Sequence, residues 1–549
     1  MRFCALWRPK AVVGAAILLC AVFFAVGYAF IPQVGVQEDE AQFVTGILPP
    51  LVGRRFVQIG GELYPLMIAT YAGALKALAY LGIFSIWPPD TLSLRIPMLL
   101  AGTATVYLFF VFFRAAMGGL AALIATALLV FDPLFLTLTV LDSGIVTVQH
   151  LLMAAALPLF LRYHRTRRKA LLAAACFLCG LALWDKTTFV WLIAGWGAGL
   201  AAVYWRELRT HLNLGRLLLA LLCVLLGALP MVYYTLTERA TAGQGMGGFA
   251  APTKQKAIIL MKTLDGSSPF GFLVRNPDLA ALGTPQTGIE RASVWLAGAV
   301  RHPWHHWLFW AALVSCLLIP FLRPGPERRI MLFSVAAFTT GWLVMLPFAM
   351  GGEGSHHVIL LWPLPQMLVA SAAVALGALI PRLRAVVAFG LAAPVVLSCA
   401  LVANECYAQL VLFGPTDHWS DAVNPLAGWL RKARPADIYS LDWGIEGPLR
   451  CLGQGALPLR KDVADTLSQP IPPAGRRETI RAMLAPPGRL FVFYTDRSRH
   501  ANTNLERLRT LGSEAGLREE CVTQIRDRNL RSIYTVVRYA DSETPGRCQ

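Results

Sequence analysis

The sequence predicts a polytopic α-helical membrane protein of about eleven transmembrane helices with a soluble α/β domain at its C-terminal end. Three observations predict it. Hydrophobic residues make up 56% of the 549 residues and Asp, Glu, Lys and Arg only 15%, against roughly 25% charged in soluble domains. The mean hydropathy is +0.55. The charges are also divided unevenly: residues 1–404 hold 15 acidic and 29 basic side chains, and residues 405–549 hold 17 and 20. Residues 1–404 therefore read as a membrane body and 405–549 as a soluble domain. These values exclude a disordered chain and a single soluble domain. The net charge of +17 points to a membrane and not to nucleic acid, because cytoplasmic loops of spanning proteins gather Lys and Arg.

Apolar runs of spanning length occupy 11–30, 94–113, 118–138, 145–161, 170–184, 188–204, 217–236, 305–322, 330–350, 358–379 and 385–402. Arg2, Arg8 and Lys10 precede the first. Arg162, Arg165, Arg167, Arg168 and Lys169 follow the fourth, and Arg206, Arg209 and Arg216 the sixth. Arg323, Arg328 and Arg329 follow the eighth, and Arg382 and Arg384 the tenth. Every even-numbered span thus exits into a basic loop, which places those loops and the N-terminus in the cytoplasm and the tail outside. Gly27 and Ala29 give the first run some likeness to a signal peptide. Its length and the spans that follow make it the first span instead. The expected location is a bacterial inner membrane, with the tail periplasmic or extracellular.

Only Glu207 and Glu327 fall in cytoplasmic loops, and Asp132 lies near the end of the third span; the other acids of the membrane body face outward. Carboxylates do base work and bind hard cations, so an outward-facing site is expected. The long first outer loop, 31–93, opens with Glu38-Asp39-Glu40. Like charges this close raise a pKa or call for a cation. The stretch 66–84 is apolar around Lys76 and reads as a helix along the interface. Asp142, alone between two apolar runs, is expected to face a cavity or water. Asp185-Lys186 fits either a local interfacial pair or a functional lysine. Arg95 fits either snorkelling to headgroups or function. Adjacent His356 and His357 point in different directions on a helix, so at most one is expected to serve a given site.

These residues, in this order, resemble the GT-C membrane glycosyltransferases, in the branch of protein O-mannosyltransferases and lipid A aminoarabinose transferases. Four features carry the resemblance. They are Asp39-Glu40-Ala41-Gln42-Phe43 after span one and Leu94-Arg95-Ile96-Pro97 leading into span two. The others are Asp142 after span three and Gly180-Leu181-Ala182-Leu183-Trp184-Asp185-Lys186. Order and spacing match over roughly residues 11–204, and beyond that the likeness is architectural. The family often has Glu-Lys-Pro or Lys-Pro-Pro in the first loop. The nearest match here is Gly61-Glu62-Leu63-Tyr64-Pro65, without that lysine.

The resemblance implies transfer of a sugar from a polyprenyl-phosphate donor, on the outer face, to an acceptor on a protein, lipid or glycan. It also implies a first-loop Asp at the reaction centre, and it favours inversion. Asp39 is the candidate base, with Glu40 and Asp142 as further catalytic carboxylates. The leaving lipid phosphate needs positive charge, for which Lys186 and Arg95 are candidates, with His357 beside them. A divalent metal (Mg, Mn or Zn) held by Glu40, Glu62 or Asp142 would bridge carboxylate and phosphate. A direct displacement inverts the anomeric centre, whereas a carboxylate nucleophile would retain it.

The outer loop 237–303 contains Gly243-Gln244-Gly245-Met246-Gly247-Gly248, which reads as a lid or as a plain flexible loop. The tail reads as helices at 422–433, 478–484 and 504–511 and strands at 438–442, 490–494 and 533–539, with the last two strands central. Acceptor binding, docking onto the first loop, and a structural cap are all open to it. Cys406, Cys451, Cys521 and Cys548 would lie outside and allow three full pairings. Two rivals compete with the enzyme reading. A transporter predicts inverted repeats and mid-membrane charges, but no clear repeat is visible and the charges lie at span ends. A non-catalytic anchor would not need acids and Lys186 at one face.

Overall fold

The computed structural model describes residues 9–211, 213–239, 253–276, 282–301, 304–460, 475–495 and 503–541. Arg2, Arg8, the glycine-rich run 243–248, Asp278 and Cys548 lie outside the described residues.

All of the expected apolar runs fall on helices. The chain opens with α1 (Pro9–Phe30), the short α2 (Glu38–Ala41), the first-loop strands β1 (Arg55–Ile59), β2 (Glu62–Ala69) and β3 (Ala72–Gly73), and α3 (Leu75–Ile86). Then follow α4 (Thr91–Met117), α5 (Gly119–Val130), α6 (Pro133–Leu141), α7 (Thr147–Thr166), α8 (Lys169–Asp185), α9 (Phe189–His211), α10 (Leu214–Gly227) and α11 (Leu229–Glu238). The later long helices are Pro326–Met345, Leu364–Gly377 and Arg384–Phe413. Among the described residues, three helices are by length and composition apolar enough to cross a membrane alone, and up to six if each bent pair counts as one span. The pairs α5 with α6, α10 with α11, and Ser355–Leu361 with Leu364–Gly377 bend by 62°, 73° and 42°. On α10, Leu217, Leu218, Leu221 and Leu222 stay exposed, the outward apolar face a lipid-bathed helix presents.

Local chemistry sets the breaks. At the start of α4, Asp90 accepts from the Ser93 backbone N–H at 2.6 Å while Ser93 Oγ accepts from the Asp90 N–H at 2.8 Å. At the α5–α6 bend, Pro133 opens α6 and Asp132 caps it, accepting from Leu134 and Phe135. Trp362 Nε1 donates to the other Asp132 oxygen at 2.8 Å, tying this bend to the bent pair later in the chain.

The loop after α1 differs from the expected interfacial helix over 66–84. Leu66–Ala69 completes β2, and the helix begins only at Leu75. Gly60 and Gly61 both have positive φ, +61° and +92°, and make the two-residue turn that joins β1 to β2. The hairpin fixes period-two geometry where composition alone suggested a helix.

The tail is a five-stranded mixed sheet in the order β5-β4-β6-β8-β7. Its strands are β4 (Asp437–Ser440), β5 (Leu459–Arg460), β6 (Arg489–Tyr494), β7 (Arg518–Arg526) and β8 (Ser532–Ala540). β4 runs parallel to β5 and β6, and β8 antiparallel to β6 and β7. The parallel pairs need crossovers, and helices Glu446–Leu452 and Arg476–Leu484 lie along them. β6 is central with β8 beside it, as expected. The sequence reading passed over β5, β7 and the helix Glu446–Leu452; β7 is only half-buried and rich in charge. One sheet face packs Ile480, Leu484, Leu505 and Leu508. The other shares a core with the first outer loop: Val36, Ala41, Val44 and Leu48 pack with Val423, Leu426, Leu449 and Val492. Helix Arg384–Phe413 runs through Glu405, so the compositional boundary falls inside it. Cys406 and Cys451 are buried and unpaired, so the four outer cysteines do not pair fully; Cys521 is disulfide-bonded.

Candidate active site

The three adjacent acids of the first loop sit on α2, where each residue turns about 100° from the last. Gln37 caps this turn, its Oε1 accepting from the Asp39 N–H at 2.6 Å. The three carboxylates therefore leave in three directions, which separates like charges that the sequence places side by side.

Glu40 points inward. Its two oxygens accept from Arg95 Nε and Nη2, each at 2.8 Å. Arg95 Nη1 also donates to the Ile31 and Val34 carbonyls, at 3.1 and 2.6 Å, and Nη2 to the Gly35 carbonyl at 2.7 Å. All five guanidinium donors are satisfied, and both side chains are buried. Arg95 thus neither snorkels nor lines a cavity; it clamps the end of α1 to α2.

Glu38 points to the tail and accepts from the Gly447 N–H at 2.9 Å. Burial lifts its carboxyl from the ordinary 4.5 to about 7, against the pull of that hydrogen bond. The folded protein therefore keeps this proton between pH 4.5 and 7, where the unfolded chain has lost it. Its contribution to stability is full below the unfolded value and is lost as pH rises to about 7. Glu38→Gln keeps an acceptor for Gly447 and removes the titration. It is expected to raise the thermal midpoint at pH 8 but not at pH 4, by up to roughly 3 kcal/mol of stability. Equal effects at both pH values in detergent-solubilised protein would refute this.

Asp39 points into a cavity of about 330 Å³, where it meets Tyr71, Lys186, Thr188, Glu353, His356, His357 and Trp443. An outer chamber of about 640 Å³ adjoins it and shares Asp39, Glu353, Gly354, His356 and Trp443. Gln42 Nε2 donates to Asp39 Oδ1 at 3.0 Å. Burial raises the Asp39 carboxyl above its ordinary range, and the Lys186 charge pulls it back.

Lys186 is placed by backbone pairing. It bridges to Ala72, and the Thr187 N–H donates to the Tyr71 carbonyl at 3.0 Å, so the end of α8 is stitched to the first loop. Its Nζ donates to the Gly144 carbonyl at 2.6 Å and lies 6.0 Å from the centre of the Tyr71 ring. Burial pushes the ammonium down to about 8, opposed by Asp39, Asp185 and Asp142. Gly144 itself has φ +74°, and a Cβ there would lie 2.5 Å from the His356 ring. That close approach needs glycine.

Asp142 lies one layer below. Its φ of 44° ends α6, its carboxylate pairs with buried Lys76 at 2.8 Å, and it accepts from the Thr147 N–H at 3.0 Å. It lines neither chamber, contrary to the expectation that it faces a cavity or water. Lys76 Nζ also reaches the Glu40 carbonyl at 3.3 Å, so this pair supports α2 from beneath.

Of the residues named from sequence, Asp39, Lys186 and His357 line the inner chamber, and Glu40, Arg95 and Asp142 stand behind it. Glu62 is exposed beside the hairpin turn, paired with Ile59. The proposed metal set therefore does not fit. Glu40 is filled by Arg95, Asp142 by Lys76, and Glu62 is elsewhere; among the described residues no three His, Cys, Asp or Glu side chains converge. Both histidines border the inner chamber, with rings 4.2 Å apart, although the helical argument allowed only one. Tyr71, Glu353 and Trp443 had not been singled out as site residues; only the fold brings them to Asp39.

No family model matches the chain, and no curated protein matches it by sequence. Solved structures do. ArnT from Cupriavidus metallidurans bound to undecaprenyl phosphate matches at 12% identity and a TM-score of 0.53, over 98% of this chain and 99% of that one. The apo form of the same protein matches at 13% identity and 0.52, over 96% and 98%. A more distant likeness, at 17% identity and 0.48, is to the arabinofuranosyltransferase AftD from Mycobacteria, over 96% of this chain and 40% of that one. The chain has the ArnT-like GT-C fold of membrane glycosyltransferases. It is a multi-pass membrane protein with a mixed-sheet C-terminal part.

Proposed function

We propose that this chain is an integral membrane glycosyltransferase that takes a sugar from a polyprenyl-phosphate donor and passes it to an acceptor on the outer face of the membrane. The observation that carries the reading is Asp39 and buried Lys186 lining one chamber, in a GT-C fold. The ArnT structure with undecaprenyl phosphate supports the donor class. On this reading the chain up to the end of helix Arg384–Phe413 forms the membrane catalytic part and the residues beyond it an outer domain, in a bacterial cytoplasmic membrane with the N-terminus inside.

Asp39 takes the proton of the acceptor hydroxyl or amine as that atom attacks C1 of the sugar. The bond from C1 to the phosphate oxygen breaks, and its electron pair stays on the lipid phosphate. Buried Lys186 faces the charge that develops there. A burial-raised carboxylate is a stronger base than an ordinary Asp. One displacement without a covalent intermediate inverts the anomeric centre. Glu40 and Arg95 take no part in bond making; they hold α2.

The test is release of polyprenyl phosphate from a labelled lipid-linked sugar in membranes. A transporter would move its substrate without cleaving it, and absence of cleavage with acceptor-rich membranes would reject the enzyme. The pH dependence has a sign. Activity needs Asp39 ionised and Lys186 protonated, so it rises through the raised Asp39 titration and falls above about 8. Lys186→Gln is expected to lower turnover by roughly 10²–10³-fold and to abolish the alkaline limb. A variant that keeps that limb would take Lys186 out of this role.

A further inference from the structure

The outer chamber is larger than the inner one and differs from it in chemistry. Its polar lining combines amides and hydroxyls from Gln37, Gln255, Ser268, Ser355 and Thr416 with the carboxylates of Asp39, Glu353 and Asp417, the last paired with Arg275. Among the described residues Lys262 is the one lysine or arginine lining it. Its aromatic wall combines Phe272 with Trp419 and Trp443 of the tail. Trp419 is buried, but Trp443 is 59% exposed and borders both chambers, among the described residues the only one beyond Phe413 to reach the inner one.

Trp443 is held in place. Its ring meets His418 edge-on, with centroids 5.4 Å apart and planes at 69°. His418 Nδ1 and the Tyr494 hydroxyl share a hydrogen bond at 3.1 Å. The Tyr494 N–H donates to Asp442 at 2.8 Å, which fixes the turn carrying the indole. An exposed, braced indole beside neutral hydrogen-bonding groups has two faces to offer: an apolar plane and a ring of donors and acceptors. A sugar ring has the matching pair, a C–H face and equatorial hydroxyls. A peptide strand would want a sheet edge, yet no residue of the edge strands β5 or β7 lines either chamber.

We propose that the acceptor is a carbohydrate, bound in the outer chamber with its ring stacked on Trp443. The inference rests on the glycosyltransferase reading of the same site and adds the acceptor class. The stack places an acceptor hydroxyl at the junction of the chambers, where Asp39 lies.

The test uses the full chain in detergent and saturation-transfer NMR. The probes are methyl glycosides of glucose, galactose, mannose, arabinose and N-acetylglucosamine, with blocked Ser- and Thr-containing tetrapeptides as the comparison. Undecaprenyl phosphate binding, by thermal shift, reports separately on the donor reading. At least one glycoside is expected to receive saturation at its ring C–H protons. Trp443→Ala is expected to weaken that glycoside roughly tenfold, the scale of one aromatic contact, and Trp443→Phe to recover most of it. Undecaprenyl phosphate binding without any glycoside binding would overturn the proposal and leave the donor reading standing. Glycoside binding without undecaprenyl phosphate would do the reverse. Binding of peptides alone, or an equal loss of both ligands in Trp443→Ala, would also overturn it.

Discussion

Asp39→Asn is expected to lower sugar transfer by roughly 10²–10⁴-fold at equal expression, the range a positioned general base supplies. The substitution is nearly isosteric. An Asn Oδ1 still accepts from Gln42, and the backbone N–H that Gln37 caps is unchanged. The loop should therefore keep its shape and lose only the proton acceptor. A second effect follows from the coupling of the two groups. The Asp39 charge helps hold Lys186 in its charged form against burial. Without it the ammonium moves further below about 8, and the alkaline limb of the rate profile shifts to lower pH. Turnover and its pH profile in purified membranes check both parts. Near-wild-type turnover would remove Asp39 from the mechanism.

Arg95→Ala is expected to be the most destabilising single change near the site, by roughly 3–5 kcal/mol. It leaves the Glu40 carboxylate buried without its counter-charge, and the carbonyls of Ile31, Val34 and Gly35 lose the guanidinium donors. Arg95→Lys should not rescue it, because an ammonium offers three donors from one point and cannot span a carboxylate and three carbonyls. A paired Arg95→Met, Glu40→Leu variant should recover part of the loss, since the stranded charge is gone. Thermal unfolding in detergent gives the stability. Activity should fall as well, through displacement of α2 and with it Asp39. An Arg95→Ala protein that unfolds at the wild-type temperature with full activity would show that another contact fixes this loop.

The fold class was legible because its signals are local. Apolar run length and basic loops mark helices and their order without any tertiary contact, and the tail strands at Leu490 and Ile533 stand out as apolar segments. Asp39 and Lys186 were legible as chemistry at the ends of runs. What the sequence hides is direction. Glu38, Asp39 and Glu40 are equivalent as text, and only the α2 turn sends one to the tail, one to the chamber and one to Arg95. Arg95 and Asp142 were assigned to the reaction for their charge, yet each is matched by a partner on another element, Glu40 and Lys76, too far along the chain for pattern reading. Trp443 sits in an unremarkable turn of the tail. Its place beside Asp39 exists only because the tail closes over the first loop.

The core shared by the first loop and the tail also sets a timetable for the growing chain. Glu38 and Gly447 are 409 residues apart. At ordinary synthesis speeds of about 5–20 residues per second, the loop waits roughly 20 to 80 seconds for the helix and sheet that cover Val36, Ala41, Val44 and Leu48. For the part of that interval after Lys186 is made, Asp39 and Lys186 exist while Trp443 does not. A chain that stops short of Trp443 therefore has Asp39 in place but lacks the indole that borders both chambers.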